Sequence, residues 1–241
     1  MASRQNAFTE QFYTALISGD RHAAREIMGN LFAQDPAVEK VIEHLLWPVL
    51  DTIQKDYRKD QLTNLAYHYA TRMLRTITDQ LQIRLEQKPR NGQKVLLTCG
   101  AEESEELAGQ LAADLLEAGG YTVYFTGGGI ANDELVAQLN ELQVDRLVVF
   151  GAIPATVPQT RQLIDLMHDI GACEQTQVIV GGGVFNRADG LAEEIGADLW
   201  AMDPLELLEV MDDEPNRRMT PDQRTVGRRR KAPTPAKKKA A

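Results

Sequence analysis

Three stretches of this chain hold residue types that do chemistry, and they recur at intervals. The first is Cys99-Gly100-Ala101-Glu102-Glu103-Ser104-Glu105-Glu106, a thiol followed by a run of carboxylates. The others are the triple-glycine turns Gly127-Gly128-Gly129 and Gly181-Gly182-Gly183, with Gly151 between them in sequence. Carboxylates at the start of a helix complement its dipole, which is the simplest use of Glu102, Glu103, Glu105 and Glu106. The same acids repel a phosphate, and no GxGxxG follows them, so a nicotinamide dinucleotide is a poor candidate. Cys99 reads as a small buried residue, with a reactive thiol or a chromophore anchor as the sharper alternative. Glycine turns let a flat ligand approach the backbone closely, because no Cβ intervenes. There is no nucleophile–base pair and no metal-type spacing of Cys and His, so the pattern points to binding rather than catalysis. His22, His44 and His168 read as surface residues on helix faces.

The elements that must position these residues follow from the apolar pattern. Val95–Thr98, Tyr121–Thr126, Leu147–Phe150 and Val178–Val180 are apolar runs of strand length. Helical stretches alternate with them: Glu103–Ala118, Asn132–Leu142, Val157–Ile170, Arg187–Ile195 and Pro204–Met211. This alternation predicts an α/β domain over residues 94–214, a doubly wound, mostly parallel five-stranded sheet of Rossmann or flavodoxin type. The glycine turns then fall on its ligand-binding edge. Residues 1–88 are helical in pattern and predict a cap bundle. Its first helix breaks at Gly19-Asp20 and its second runs over Arg21–Phe32. Asp35-Pro36 opens a third over Ala37–Ile53, kinked at Pro48, and a fourth spans Gln61–Leu85. Residues 89–93 are a polar linker. Residues 215–241 are rich in Pro, Arg and Lys and are expected to be disordered.

The net charge of −9 over 241 residues is unevenly placed. From Asn216 to Ala241, ten Lys and Arg face one acid, Asp222, which leaves sixteen basic and thirty-four acidic residues in the body. The tail's Arg228-Arg229-Arg230-Lys231 and Lys237-Lys238-Lys239 suit non-specific contact with nucleic-acid phosphates across residues 217–239. They suit attraction to the acidic body equally well. No apolar run spans a bilayer, and no secretory pattern opens the chain. With two cysteines and no disulfide framework, the expected compartment is the cytoplasm.

Several segments fall in a telling order: Gly19-Asp20, the linker, Ala118-Gly119-Gly120-Tyr121-Thr122-Val123, Val178–Gly183, Glu194-Ile195-Gly196-Ala197-Asp198, and Asp203. Together they resemble the cobalamin-binding module over roughly residues 5–211. That family includes corrinoid proteins of methyltransferase systems and cobalamin-based light sensors. The resemblance implies a cobalamin, or another tetrapyrrole such as biliverdin, held between cap and sheet. The family's DxHxxG carries the lower axial ligand of cobalt on its His. Aligned on Gly109, this chain has Ser104 at the Asp position and Glu106 at the His position. Imidazole suits cobalt far better than a carboxylate does, and the orienting Asp is absent too. Any cobalamin is therefore expected without a protein His beneath it, with its own base on cobalt. The family's SxL, whose Ser lies by the buried dimethylbenzimidazole tail, reads Gly151-Ala152-Ile153, with a hydroxyl at Thr156. In the light-sensing relatives a Trp and a Glu-His pair cover the cofactor's upper face. The same spacing gives Tyr57 and Tyr67-His68, which makes His68 the candidate upper cobalt ligand. The implied role is a non-enzymatic, photoreceptor-like sensor or regulator of transcription, acting through a regulatory protein partner and compatible with a homo-oligomer. The alternatives are a corrinoid carrier for methyl transfer and a ligand-free domain used for protein–protein interaction.

Overall fold

The structure, a computed structural model, describes residues 2–171 and 173–219, with side chains from residue 7 onward. The expected basic tail therefore lies outside the described residues from position 220. The cap comprises α1 (Ala2–Ser18), α2 (Arg21–Phe32), α3 (Val38–Val41), α4 (Trp47–Arg58) and α5 (Asn64–Gln82). Asp20 caps α2, accepting from the backbone N–H groups of His22 and Ala23. Asp35 does not cap the third helix as expected. It takes a left-handed φ of 49°, and α3 opens after Ala37 without a side-chain cap. The kink expected at Pro48 takes the form of a π-turn, Ile42–Leu46, immediately before α4. Pro48 cannot donate to the His44 carbonyl and its ring crowds it, so the chain widens there before resuming α-geometry. The helix then continues to Arg58, beyond the expected end at Ile53.

The α/β domain follows the expected alternation, except that the helix expected over Arg187–Ile195 forms only over Leu191–Ile195, after a 3-10 turn at Gly183–Asn186. Its elements are β1 (Lys94–Thr98), α6 (Glu103–Ala118), β2 (Thr122–Gly127), α7 (Asn132–Leu142), β3 (Arg146–Phe150), α8 (Val157–Ile170), β4 (Gln177–Gly181), α9 (Leu191–Ile195), β5 (Leu199–Ala201) and α10 (Pro204–Asp213). All pairings are parallel, in the order β2-β1-β3-β4-β5. β3 and β4 are buried along their whole length, as parallel strands covered by helices on both faces must be. One face packs Leu96, Leu147 and Val149 against Leu135, Leu139 and Leu163. The other packs Leu97 and Val148 against Leu107 and Leu111, in a core continuous with Phe12, Ile53 and Leu74 of the cap. α6 is thus the joint between the two parts. The chain after α10 stays against the amino end of β4: Gln177 Nε2 donates to the carbonyls of Glu214 at 3.0 Å and Arg217 at 2.9 Å. Arg218 Nη2 donates to Gln175 O at 2.7 Å. Ordered contacts therefore extend past the expected boundary at 215, and the chain is last seen at the sheet end opposite the glycine turns.

The joint contains a destabilising acid. Asp114 on α6 is 5% exposed, and burial, then the charges of Glu117 and Asp79, push its carboxyl up from 3.8 to about 7. Between these two values the folded protein holds a proton that the unfolded chain has released, so stability declines as pH rises through that window. Asp114→Asn is expected to stabilise the protein at pH 8 by on the order of 2 kcal/mol, with the gap closing towards pH 4. Urea unfolding of both proteins across that range checks it.

Candidate functional site

In a sheet of this order the connections leave β1 and β3 towards opposite sides, and ligands bind at the carboxyl ends of the strands beside that switch. The residue standing there is Glu105. It sits in the first turn of α6 and is 0% exposed. Its Oε1 accepts from Ile153 N at 3.1 Å and from Thr156 Oγ1 at 2.8 Å. Its Oε2 accepts from Glu102 N at 3.4 Å, completing a capping box on α6. Gly100, at the end of β1, lies so close that any side chain there would run into this carboxylate. The space left between β1, β3, α7 and α8, around Cys99, Val149 and Leu163, is about 30 Å³, room for a water and not for a benzimidazole. Burial raises the Glu105 carboxyl above its usual range, while bonds from Thr156, Ile153 and Glu102 pull the other way.

This corrects the expected register of the loop. Glu106 does not face the switch point. It turns towards α5, where its Oε2 lies 3.0 Å from Arg75 Nη2, and its other oxygen faces Gly127. Ser104 is buried beneath the cap, and Gln54 Nε2 donates to its carbonyl at 3.3 Å. Gly109 faces Phe125 and Cys99, whereas the methyl of Ala108 faces Gly151. A register counted from Ala108 in place of Gly109 puts Glu105 at the position expected for the ligating His. Cys99 follows its simpler reading. It is buried, and burial, then Glu106 and Glu105, push its thiol up to about 12, so it holds no thiolate at neutral pH.

The glycines on this edge permit close approach, and the group that approaches is the protein itself. Gly128 packs on the Gly100 carbonyl and Gly183 on that of Ala152. A methyl on Gly182 would stand 3.1 Å from Phe150 and 3.3 Å from Trp47. Those two rings lie 5.8 Å apart and tilted by 54°. Trp47 thus seats the cap on the sheet edge. Neither Trp47 nor Glu105 stands out in sequence as a site residue, Glu105 reading only as one of four helix-start carboxylates. The signal for the first was an aromatic residue directly before the kinking proline.

The structure brings Tyr57, Tyr67, His68 and Ser104 together at the joint between cap and α6. Tyr57 and Tyr67 stack, centroids 4.1 Å apart at 16°. The His68 side chain is 57% exposed, its Nδ1 3.6 Å from Glu103 Oε2. Ser104 lies in the first turn of α6, just after β1, so this cluster flanks the same carboxyl edge as the glycine turns. Beside that edge a cleft of about 560 Å³ opens between α4 and the ends of β4 and β5, walled by Trp47 and Gly183. Its volume falls in the range of small-molecule sites, roughly 300–1,000 Å³. Asp203 lies on its rim and caps α10, accepting from Leu205 N and Glu206 N at 2.9 Å. Among the described residues no cluster of His, Cys, Asp or Glu is arranged to hold a metal ion, and no helix is long and apolar enough to cross a membrane. The residues present do not fit a corrinoid held by a protein imidazole below and a nucleotide tail in the switch-point crevice: Glu105 stands in that crevice with its acceptors engaged. They do leave the cap–sheet cleft open to a flat ring.

Two family models match the chain, both described as B12 binding domain, over residues 9–82 and 93–209. Over 96 residues the chain is 25% identical to dimethylamine corrinoid protein 1 of Methanosarcina acetivorans, covering 40% of this chain and 44% of that protein. It is 23% identical over 96 residues to dimethylamine corrinoid protein 3 of Methanosarcina mazei, covering 40% and 56%. The match thus spans about half the length of these curated relatives. Among solved structures, the monomethylamine corrinoid protein of Methanosarcina barkeri superposes with a TM-score of 0.73 at 16% identity, covering 86% of this chain and 98% of that one. At that identity the likeness shows the fold.

Proposed function

This chain belongs to the B12 binding domain family, and we propose that it holds a corrinoid between its cap and the carboxyl edge of its sheet as a regulatory protein read by a protein partner. The observation that carries this reading is Glu105, buried and fully bonded where a ligating imidazole would stand. A carboxylate so engaged offers cobalt no soft donor, so the ring is held without a protein ligand beneath it. Tyr57, Tyr67 and His68 are proposed to meet the ring's upper face. His68→Ala is expected to shift the visible absorption of the bound corrinoid without changing the melting temperature, since that side chain is mostly exposed and buries little.

A second reading is favoured by the relatives. The matched proteins are named dimethylamine corrinoid proteins, which supports a corrinoid carrier for methyl transfer working with a methyltransferase partner. Both readings require corrinoid binding. Titration of the purified protein with aquocobalamin, methylcobalamin and biliverdin tests it. A spectral shift and co-elution with the cobalamins are expected. Binding of biliverdin alone would overturn the corrinoid assignment, and binding of none would overturn the proposal.

A further inference from the structure

The cap–sheet cleft carries the opposite charge to the body around it. Residues 1–215 hold sixteen basic and thirty-four acidic residues, yet the cleft is lined by Lys55, Arg58, Lys59 and Arg187 against Asp51 and Asp203. Asp203 is engaged in capping α10. Among the described residues Lys55, Arg58 and Lys59 have no ion-pair partner, although exposed ion pairs occur elsewhere on this surface. Lys55 and Arg58 lie one turn apart on α4, and together with Asp51 one turn before they form one face of that helix. Arg187 reaches the cleft from the far wall, held by its Nη1 bond to Gly183 O at 2.8 Å. Burial, and then the opposing charge of Arg58, lower the Arg187 pKa, against a smaller pull from Asp51. Cations set on both walls of an open cleft, with Trp47 at its base, are a receptor for a flat ligand with anions at its rim. The chain's own tail is not that ligand, because it is itself basic.

Building on the corrinoid reading above, we propose that this cleft selects a ring whose peripheral side chains are free carboxylates over one whose side chains are amides. An amide rim offers neutral acceptors to the four cations and leaves their mutual repulsion in place. A carboxylate rim relieves it and forms charge-assisted hydrogen bonds, roughly twice as strong as neutral ones. Guanidinium groups on facing walls fix such a rim in two places, as one lysine cannot.

The test compares two tail-free rings of the same class, cobyrinic acid and cobinamide, by titration against the full-length protein. Cobyrinic acid is expected to bind at least about tenfold more tightly at low salt, with the advantage shrinking as ionic strength rises. Lys55→Gln/Arg58→Gln, both exposed positions whose loss leaves the core intact, is expected to erase most of that preference while the melting temperature stays unchanged. Equal binding of the two rings, tighter binding of cobinamide, or a preference that survives the double substitution overturns the inference while leaving the corrinoid reading standing. Binding of neither ring overturns the inference, and the cobalamin titration above decides separately whether the corrinoid reading falls with it.

Discussion

Glu105→Ala is expected to lower stability at pH 7 by about 2 kcal/mol and to open the crevice between β1 and β3. The substitution leaves Ile153 N and Thr156 Oγ1 without their shared carboxylate acceptor and removes half of the capping box on α6. A lost buried bond costs about 1–3 kcal/mol when its partner is stranded, and less here, because Ile153 N also donates to Thr156 Oγ1 at 3.2 Å and that hydroxyl to Ile153 O at 2.9 Å. Part of that cost is offset, because burial already disfavours the Glu105 charge. Glu105→Gln keeps an oxygen for the same two donors and is expected to stay within about 1 kcal/mol of the parent. Burial holds the Glu105 carboxyl above its unfolded value. A group shifted in that direction loses stability as pH rises from its unfolded value through its folded one, so the glutamine variant is expected to lack the decline that the parent shows across that window. Denaturant unfolding of the three proteins at pH 5, 7 and 9 separates these terms. In the alanine variant a tail-bearing cobalamin is expected to gain affinity relative to cobinamide, since the obstruction to its base is gone. An unchanged ratio would mean that Glu105 does not guard that crevice.

The second large effect is expected at Gly183. Its φ of 54° lies in the left-handed region, and an added Cβ would stand 2.2 Å from the Ala152 carbonyl oxygen and 2.8 Å from the Gly151 carbon. Both are backbone atoms, so no rotamer change relieves the clash. Gly183→Ala is expected to cost about 3 kcal/mol or more, from the strained backbone and the separation of the loops after β3 and β4. Gly171 has a similar φ of 64° but open space around it, so Gly171→Ala is expected to cost only about 1 kcal/mol. Paired thermal melts of the two variants test whether loop-to-loop contact, rather than turn geometry alone, sets the requirement at Gly183.

The sheet was legible because its strands are unbroken apolar runs between polar turns, and parallel strands buried on both faces read that way. β5 is three residues long, too short to stand out from Leu199-Trp200-Ala201 alone. The switch-point residue was not legible for a different reason. Successive helix positions differ by about 100°, so which of Glu105 and Glu106 faces the sheet depends on where α6 starts. That start is fixed by the Glu102 capping box, a contact between side chain and backbone. Ala108 and Gly109 are both small, and either serves as the anchor in sequence. Only packing decides, with Ala108 against Gly151 and Gly109 against Phe125. Trp47 escaped notice because its partners, Phe150 and Gly182, are more than a hundred residues away in sequence. Lys55, Arg58 and Lys59 drew no notice in sequence, because only the fold sets them opposite Arg187.

With Glu105 where a ligating imidazole is proposed to stand, the corrinoid is expected to be held with no protein nitrogen on cobalt from below. Electron paramagnetic resonance of bound cob(II)alamin, in protein of natural abundance and in uniformly 15N-labelled protein, addresses it directly. An axial nitrogen from the ligand's own base splits each cobalt line into three, and labelling the protein leaves that pattern untouched. The account predicts three-line splitting in both samples. A change to two-line splitting in the labelled protein that persists in His68→Ala would show a protein nitrogen bound beneath cobalt and would contradict it.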